Sequence, residues 1–153
     1  MDYTERKTAK AVIINDQGET LTFGSVLIGG GVEENETYEE ALHREALEEA
    51  AIAISILKHL GECIGYLDIQ KRKYIVNAYL CKYIDAVGAR TSNDSMEIDR
   101  PLVWDRPQET IERFRQEIEA LQHADQSVKE DIEYQSRLYN RQISLAFLKE
   151  AFK

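Results

Sequence analysis

A change of pattern at Thr37 is the feature that most constrains the fold of this chain. Segments 10–15 and 20–28, which precede it, are rich in β-branched and apolar residues and are typical of strands. Thr37 and Glu40 have the spacing of a capping box, which predicts a helix over about residues 38–51. Strand-like composition resumes after this helix, so the first half predicts strands on both sides of one helix.

The second half of the chain predicts further strands followed by helices. The expected elements are, in order, a hairpin whose strands include 63–70 and 73–84, a short strand at 102–104, and two helices over about 108–153 with a break in 122–127. Asp105 and Pro107 indicate where the first of these helices begins. Apolar residues recur at helical intervals in the last helix, so we expect it to pack on the body of the protein. This layout predicts an α+β fold in a single domain, 1–153, with a helical C-terminal part.

Composition limits the partners of the chain. Its 153 residues include 28 acidic and 19 basic side chains, and the formal net charge of −9 argues against tight binding to duplex nucleic acid. A nucleotide is not excluded, because bound divalent cations reverse the local field. The sequence has no apolar leader segment and no apolar run of about 18 residues. Cys63 and Cys81 favour buried free thiols in a reducing compartment, so we expect a cytoplasmic protein without a membrane partner.

The predicted helix at 38–51 carries an acidic cluster. Glu45, Glu48 and Glu49 stand at positions i, i+3 and i+4, which places their carboxylates on one face. The apolar residues expected on the buried side of this helix are Leu42, Ala46, Leu47 and Ala50. Glu45 and Glu49 are a like-charge pair of the kind that destabilises a helix by about 0.2–0.5 kcal/mol. A divalent cation between the carboxylates would remove this cost, whereas a solvated acidic surface is the alternative explanation.

Three consecutive glycines, Gly29–Gly31, precede the acidic helix and are expected to form a flexible turn. Glycine lets the backbone approach a ligand closely or adopt a positive φ angle. Such a turn could offer a carbonyl to a metal or amides to a phosphate, and a plain turn is the alternative. The segment has neither the phosphate loop of nucleoside triphosphatases nor a dinucleotide-binding fingerprint.

Taken together, the glycines and the acidic helix resemble the Nudix box, G-x5-E-x7-R-E-U-x-E-E-x-G-U, in which U is aliphatic. The matching positions are Gly30, Glu36, Arg44, Glu45, Glu48 and Glu49, with Ala46 and Ile52 at the aliphatic sites. Ala51 stands where the family has glycine, a position that usually ends the helix in a left-handed turn. Asn35 replaces another frequent glycine, and asparagine tolerates the left-handed region. Neither difference removes a residue that the family uses to bind metal.

The resemblance implies an α/β/α sandwich with a mixed sheet, and an enzyme that hydrolyses a pyrophosphate bond in a nucleoside diphosphate joined to another group. The site residues that it implies are Glu45, Glu48, Glu49 and the Gly29 carbonyl as metal ligands, Arg44 as the residue that orients the carboxylates, and Gly30 and Glu36 as support. The implied cofactor is Mg²⁺ or Mn²⁺, which neutralises the phosphates and lowers the pKa of a bound water.

A further carboxylate is expected from the polar segment before Trp104, because family members often recruit one from a distant loop. The acids in this segment are Asp94, Glu97 and Asp99. We assign Glu97 as a metal ligand or general base, with a solvated loop acid as the alternative. The basic cluster 71–73 at the tip of the predicted hairpin could hold a phosphate, although a solvated turn is the simpler explanation.

The sequence leaves the substrate open among an oxidised nucleoside triphosphate, ADP-ribose and a dinucleotide, because selectivity depends on loops outside the box. A small-molecule nucleotide is the expected partner, and a homodimer formed through the long C-terminal helices is a further expectation. The alternative function is a non-catalytic Nudix-like module that binds a nucleotide or a protein.

Overall fold

A mixed sheet with helices on both faces makes up the part of the chain that the computed structural model describes, residues 2–88, 101–123 and 132–153. Its strands are β1 (Thr4–Ile14), β2 (Thr20–Phe23), β3 (Ile28–Gly31), β4 (Ile52–Leu67), β5 (Arg72–Ala86) and β6 (Leu102–Asp105). The helices are α1 (Tyr38–Ala50), α2 (Pro107–Gln122) and α3 (Ile132–Ala151). A short 3₁₀ turn at Asp68–Gln70 joins β4 to β5.

Strand β1 organises the sheet because it pairs along both of its edges. One edge pairs in parallel with β5 over the whole length from Thr4 to Ile14. The other edge is divided, since β3 pairs antiparallel with residues 8–11 and β2 pairs antiparallel with Ile13 and Ile14. The strand order is β4-β5-β1-β2-β6, with β3 attached to β1. Strands β2 and β3 therefore lie one after the other along the same edge of β1.

Two sequence predictions about this region are wrong. Strand β1 begins at Thr4 rather than at Lys10, because its polar first half is paired with β5, and composition does not reveal that pairing. Gly29–Gly31 lie in β3 rather than in a turn, since each of them pairs with a residue of β1. The chain turns later, where Asn35 adopts a left-handed φ of 65°.

Helix α1 begins and ends where the sequence predicted. The Thr37 side chain accepts a hydrogen bond from Glu40 N at 3.0 Å, and the Glu40 carboxylate accepts one from Thr37 N at 3.0 Å. These two bonds complete the capping box. Ala51 ends the helix with a φ of 53°, and its N–H donates to Leu47 O at 3.0 Å. Alanine thus takes the left-handed turn that glycine takes in the box pattern, at a cost of about 1 kcal/mol.

Each face of the sheet has its own hydrophobic core. On one face, Leu42 and Ala46 of α1 are fully buried against the sheet. On the other face, Phe114 of α2 packs with Phe147 and Leu148 of α3. Helices on both sides of a mixed sheet confirm the predicted α/β/α sandwich and the α+β class.

The C-terminal part is helical, as predicted. Helix α2 ends at Gln122, inside the segment where a break was expected, and α3 packs on the sheet through residues such as Ile143. Within the described ranges, no helix combines the length and the apolar character needed to cross a bilayer.

Gly29 is the position where the sheet leaves no room for a side chain. Its φ is 144°, and a Cβ atom there would lie 2.0 Å from Ala9 O and 2.9 Å from Lys10 Cα. Both are backbone atoms of a paired strand, so they cannot move aside without breaking the pairing of β1 with β3. Glycine is therefore required at this position.

Gly29→Ala is expected to lower the free energy of unfolding by about 3 kcal/mol or more, because the new methyl group would collide with the backbone of β1. Gly18→Ala is the matched control. Gly18 also has a positive φ, 75°, but no atom lies within 4 Å of the added Cβ, so its loss should be about 1 kcal/mol. Urea unfolding followed by circular dichroism measures both values. Equal losses in the two variants would contradict the close approach of β3 to β1.

Candidate functional site

Arg44 joins several parts of the site through one guanidinium group. Its Nε and Nη2 donate to the two oxygens of Glu36 at 2.8 and 3.0 Å, a two-point contact with the carboxylate. Its Nη1 donates to Glu45 Oε1 at 2.9 Å and to Glu48 Oε2 at 3.4 Å. A further bond from Nη2 to Gly31 O at 2.9 Å ties α1 to the end of β3.

Glu36 fixes the turn between β3 and α1. In addition to its contact with Arg44, it accepts a hydrogen bond from Glu33 N at 2.9 Å. Hydrogen bonds from the Arg44 guanidinium hold the pKa of Glu36 below its ordinary value. The same contacts raise the pKa of Arg44, so both members of this ion pair are charged near neutral pH.

The carboxylates of Glu45 and Glu49 lie against consecutive residues of β3. Glu49 Oε1 accepts a hydrogen bond from Gly29 N at 2.8 Å, and Glu49 is only 3% exposed. A Cβ atom on Gly30 would lie 2.5 Å from Glu45 Oε1, so this glycine makes room for the carboxylate. Because consecutive Cα atoms are about 3.8 Å apart, the two acidic groups are near neighbours. Burying two carboxylates together is costly unless donors or cations compensate them.

The acidic helix face differs from the sequence prediction in its exposure. Glu49 is buried, whereas the Glu48 side chain is 39% exposed. Leu47, which was expected on the buried side, is 45% exposed, so that prediction is wrong. The helix turns its Glu49 flank toward β3, where the Gly29 N–H offers a partner, and Leu47 consequently faces away from the sheet. Helical periodicity alone does not show which flank of a polar face meets a neighbouring strand.

A cleft of about 380 Å³ opens beside Gly29, Gly30 and Glu49. The sheet residues that line it are Arg6, Thr8 and Lys10 on β1 and Arg72, Tyr74 and Val76 on β5. They share one face of the sheet, because they alternate along two strands that pair in parallel. The cleft therefore begins at the acidic helix and continues along a surface that carries positive charge.

Helix α3 closes the cleft on the opposite side. Gln70 Nε2 donates to Ser136 Oγ at 3.0 Å, and Tyr74 OH donates to Gln70 Oε1 at 3.2 Å. The rings of Tyr74 and Tyr139 lie 5.4 Å apart. Burial raises the pKa of Tyr139 to about 12, so this phenol is neutral near physiological pH. These contacts fix the wall of the cleft.

Most of these cleft residues were not predicted from the sequence. Arg6, Thr8 and Lys10 follow the two-residue period of a strand, a signal that becomes visible once β1 is known to start at Thr4. Arg72 belongs to the basic cluster 71–73, for which the sequence left open a phosphate site and favoured a solvated turn. The structure leaves Arg72 exposed but also brings it to the cleft. The residues of α3 reach the cleft only through tertiary packing.

Comparison with known families agrees with this arrangement. The family profile described as NUDIX domain matches residues 4–126, which is most of the chain. The chain belongs to the Nudix family. The predicted resemblance is thereby confirmed, and the match extends well beyond the box on both sides.

Several solved structures have a similar fold. A NUDIX hydrolase from Nitrosomonas europaea has a TM-score of 0.61 at 19% identity, and the match covers 88% of this chain and 90% of that chain. A MutT NUDIX hydrolase from Burkholderia pseudomallei has a TM-score of 0.56 at 22% identity, with 69% of this chain and 85% of that chain covered. The E. coli ORF135 protein has a TM-score of 0.54 at 20% identity, with 72% and 79% covered. A search of curated protein sequences gave no match.

In this Nudix chain, the box carboxylates have the chemistry of a divalent cation site. Glu45, Glu48 and Glu49 provide the oxygen atoms that Mg²⁺ and Mn²⁺ prefer, and two of the three lie against the same short strand. Within the ranges that the structure describes, however, no group of three or more His, Cys, Asp and Glu side chains converges enough to hold a metal. Glu45 and Glu48 instead contact Arg44, and Glu49 contacts the Gly29 N–H. The three-ligand set stays a prediction.

Two other predicted roles also stay predictions. The contact observed at Gly29 is made by its N–H, whereas the predicted metal ligand is its carbonyl oxygen. Glu97 lies outside the described residues.

Glu36→Gln is expected to lower the free energy of unfolding by about 1–3 kcal/mol at neutral pH, because it weakens a charge-assisted contact with Arg44. Folding lowers the pKa of Glu36, so this stabilisation is present above the unfolded pKa of about 4.3 and is lost as the pH falls through the folded value. The stabilities of the two proteins should therefore converge below about pH 4. Urea unfolding at a series of pH values measures the difference.

Glu34→Gln provides the control for this prediction, because Glu34 is exposed and lies in the same turn. It removes one negative charge without removing a contact to Arg44. If Glu36→Gln lost no more stability than Glu34→Gln, or if its loss did not change with pH, the ion pair would not have the importance assigned to it.

Proposed function

We propose that this Nudix chain hydrolyses a pyrophosphate bond in a nucleoside diphosphate joined to another group, in a reaction that depends on Mg²⁺ or Mn²⁺. The observation that carries the proposal is the position of Glu45 and Glu49. Their carboxylates lie against Gly30 and Gly29 at the edge of a cleft that is lined by basic side chains. Acidic groups at one end and basic side chains along the face of the sheet suit a ligand with several phosphates. The carboxylates would hold the metal, and the basic side chains would bind phosphate oxygens directly.

Each box residue has a role in this proposal. Glu45, Glu48 and Glu49 would hold the metal, with the Gly29 carbonyl as an additional ligand. When bound, a divalent cation neutralises the diphosphate and lowers the pKa of the attacking water. Arg44 contacts one oxygen of Glu45 and one of Glu48. Arg44 is thus a positioning residue, and it balances the negative charge of the box.

The cleft would hold the rest of the substrate. Its volume of about 380 Å³ is within the range of small-molecule sites. Its polar lining suits a nucleotide, which is the partner that we propose. The free thiols of Cys63 and Cys81 agree with the proposed cytoplasmic location.

Glu49→Gln is expected to reduce hydrolysis about a hundredfold or more, because the amide keeps the size of the carboxylate and loses its negative charge. The protein would be incubated with Mg²⁺ or Mn²⁺ and a panel of nucleoside triphosphates, nucleotide sugars and dinucleoside polyphosphates. Chromatography of the products shows which P–O bond is cut. Removal of the metal with EDTA should abolish the reaction.

Glu39→Gln is the matched control, because Glu39 is an exposed residue of the same helix and undergoes the same change of charge. It should retain the activity of the parent protein. No hydrolysis of any compound with either metal, or equal activity of Glu49→Gln and the parent, would refute the proposal. Nucleotide binding without turnover in calorimetry would instead support the non-catalytic module.

A further inference from the structure

We propose that Arg6 and Arg72 bind a second phosphate of the substrate, separate from the diphosphate that is hydrolysed. This inference rests on the proposed function, because it places the scissile diphosphate at Glu49. It defines a substrate class, namely diphosphate compounds whose far end carries a phosphate monoester.

Arg6 and Arg72 lie on the same face of two adjacent strands. In the parallel pairing of β1 with β5, Thr4 is opposite Arg72 and Arg6 is opposite Tyr74, so the two arginines are diagonal neighbours. Both line the cleft beside Glu49. Two neighbouring cations repel each other, and an anion bound by both removes that repulsion.

Neither arginine has a partner among the residues that the structure describes. Arg6 and Arg72 form no hydrogen bond or ion pair through their side chains within residues 2–88, 101–123 and 132–153. The chain nevertheless has 28 acidic against 19 basic residues, so carboxylates are abundant. Arg44, by contrast, contacts several carboxylates at once. The two guanidinium groups in the cleft can therefore form their charge-assisted hydrogen bonds with an external anion.

The strand registers place Arg72 far from the box. Gly29, which binds Glu49, is opposite Lys10 of β1, whereas Arg72 is opposite Thr4. Six residues of extended strand correspond to about 20 Å between these two levels. A diphosphate bound at Glu49 is too short to reach Arg72.

Arg6 bridges part of this distance. Its Nη2 lies 3.3 Å from the position of a Cβ atom on Gly31, so the side chain extends from β1 toward the box. Arg6 and Arg72 thus form a track of positive charge that leads from the end of β3 to the β4–β5 turn. A ligand that follows this track has one anionic end at the box and another at the arginines.

The far end of the cleft has a defined wall. Gln70, which lies beside Arg72, is held by Ser136 and Tyr74, and Asn140 lines the same space. Ser136 and Asn140 belong to α3, which begins after the matched family region of residues 4–126. The polar groups around Arg72 therefore come partly from a segment outside the residues that the family profile matches. Their donors and acceptors suit the oxygens of a phosphate and of the sugar that carries it.

The test compares two probes that differ by one phosphate, ADP and adenosine 3′-phosphate 5′-diphosphate. Isothermal titration calorimetry in the presence of Mg²⁺ measures their Kd values, with the α,β-methylene analogue of each compound as the probe so that the P–C–P bridge cannot be hydrolysed. For the parent protein, the added phosphate should tighten binding about tenfold or more, because it gains charge-assisted hydrogen bonds. Arg72→Gln should remove most of this advantage.

Arg115→Gln is the matched control, since Arg115 is an exposed residue of α2 that does not line the cleft. It should preserve the advantage of the added phosphate. Equal Kd values for the two probes in the parent protein, or an advantage that survives Arg72→Gln, would overturn the inference. A retained advantage in a protein that hydrolyses nothing would refute the proposed activity alone, whereas hydrolysis without the advantage would refute the distal phosphate site alone.

Discussion

The glycines at positions 29 and 30 allow the box to form, because β3 lies between strand β1 and the acidic side chains of α1 and has no room for side chains of its own at these positions. At Gly29, any Cβ atom would collide with the backbone of β1, and the N–H of the same residue binds the buried carboxylate of Glu49. At Gly30, the space of a side chain is taken by the carboxylate of Glu45. A larger residue at either position would separate β3 from β1 or α1 from β3. The carboxylates can approach β3 this closely only because the residues that face them are glycines.

This packing concentrates negative charge, and Arg44 compensates for it within the protein. Its guanidinium group contacts Glu36, Glu45 and Glu48 while it also binds Gly31 O. One side chain thereby fixes the turn, the helix and the end of β3 relative to one another. The depressed pKa of Glu36 is the electrostatic consequence of this contact. The contacts of Arg44 therefore both hold the parts of the site together and balance its negative charge.

The two ends of the cleft have different origins in the fold. The acidic end comes from one continuous segment, residues 29–49, and is shared with the Nudix family. The basic end depends on the parallel pairing of β1 with β5, which brings Arg6 beside Arg72 although they are far apart in sequence. Helix α3 then adds the wall, through residues that follow the matched family region. A segment shared with the Nudix family is thus combined with a cleft surface that this chain builds from distant segments.

The sequence by itself determined the local features of this protein. The capping box at Thr37 and the bounds of α1 depend on a few neighbouring residues, so the local pattern predicts them correctly. The positive φ of Ala51 was left open by the sequence, because alanine stands there in place of the glycine of the box pattern. The α+β class also follows from the order of strands and helices, whereas the two-sided sandwich was implied by the resemblance to the Nudix family.

Only the tertiary structure decided which residues are buried and which residues contact each other. It turned Glu49 inward and Leu47 outward, drew the glycines into a strand, and extended β1 to Thr4. The reason is that burial and strand pairing depend on partners from distant parts of the chain, and a local pattern carries no information about those partners.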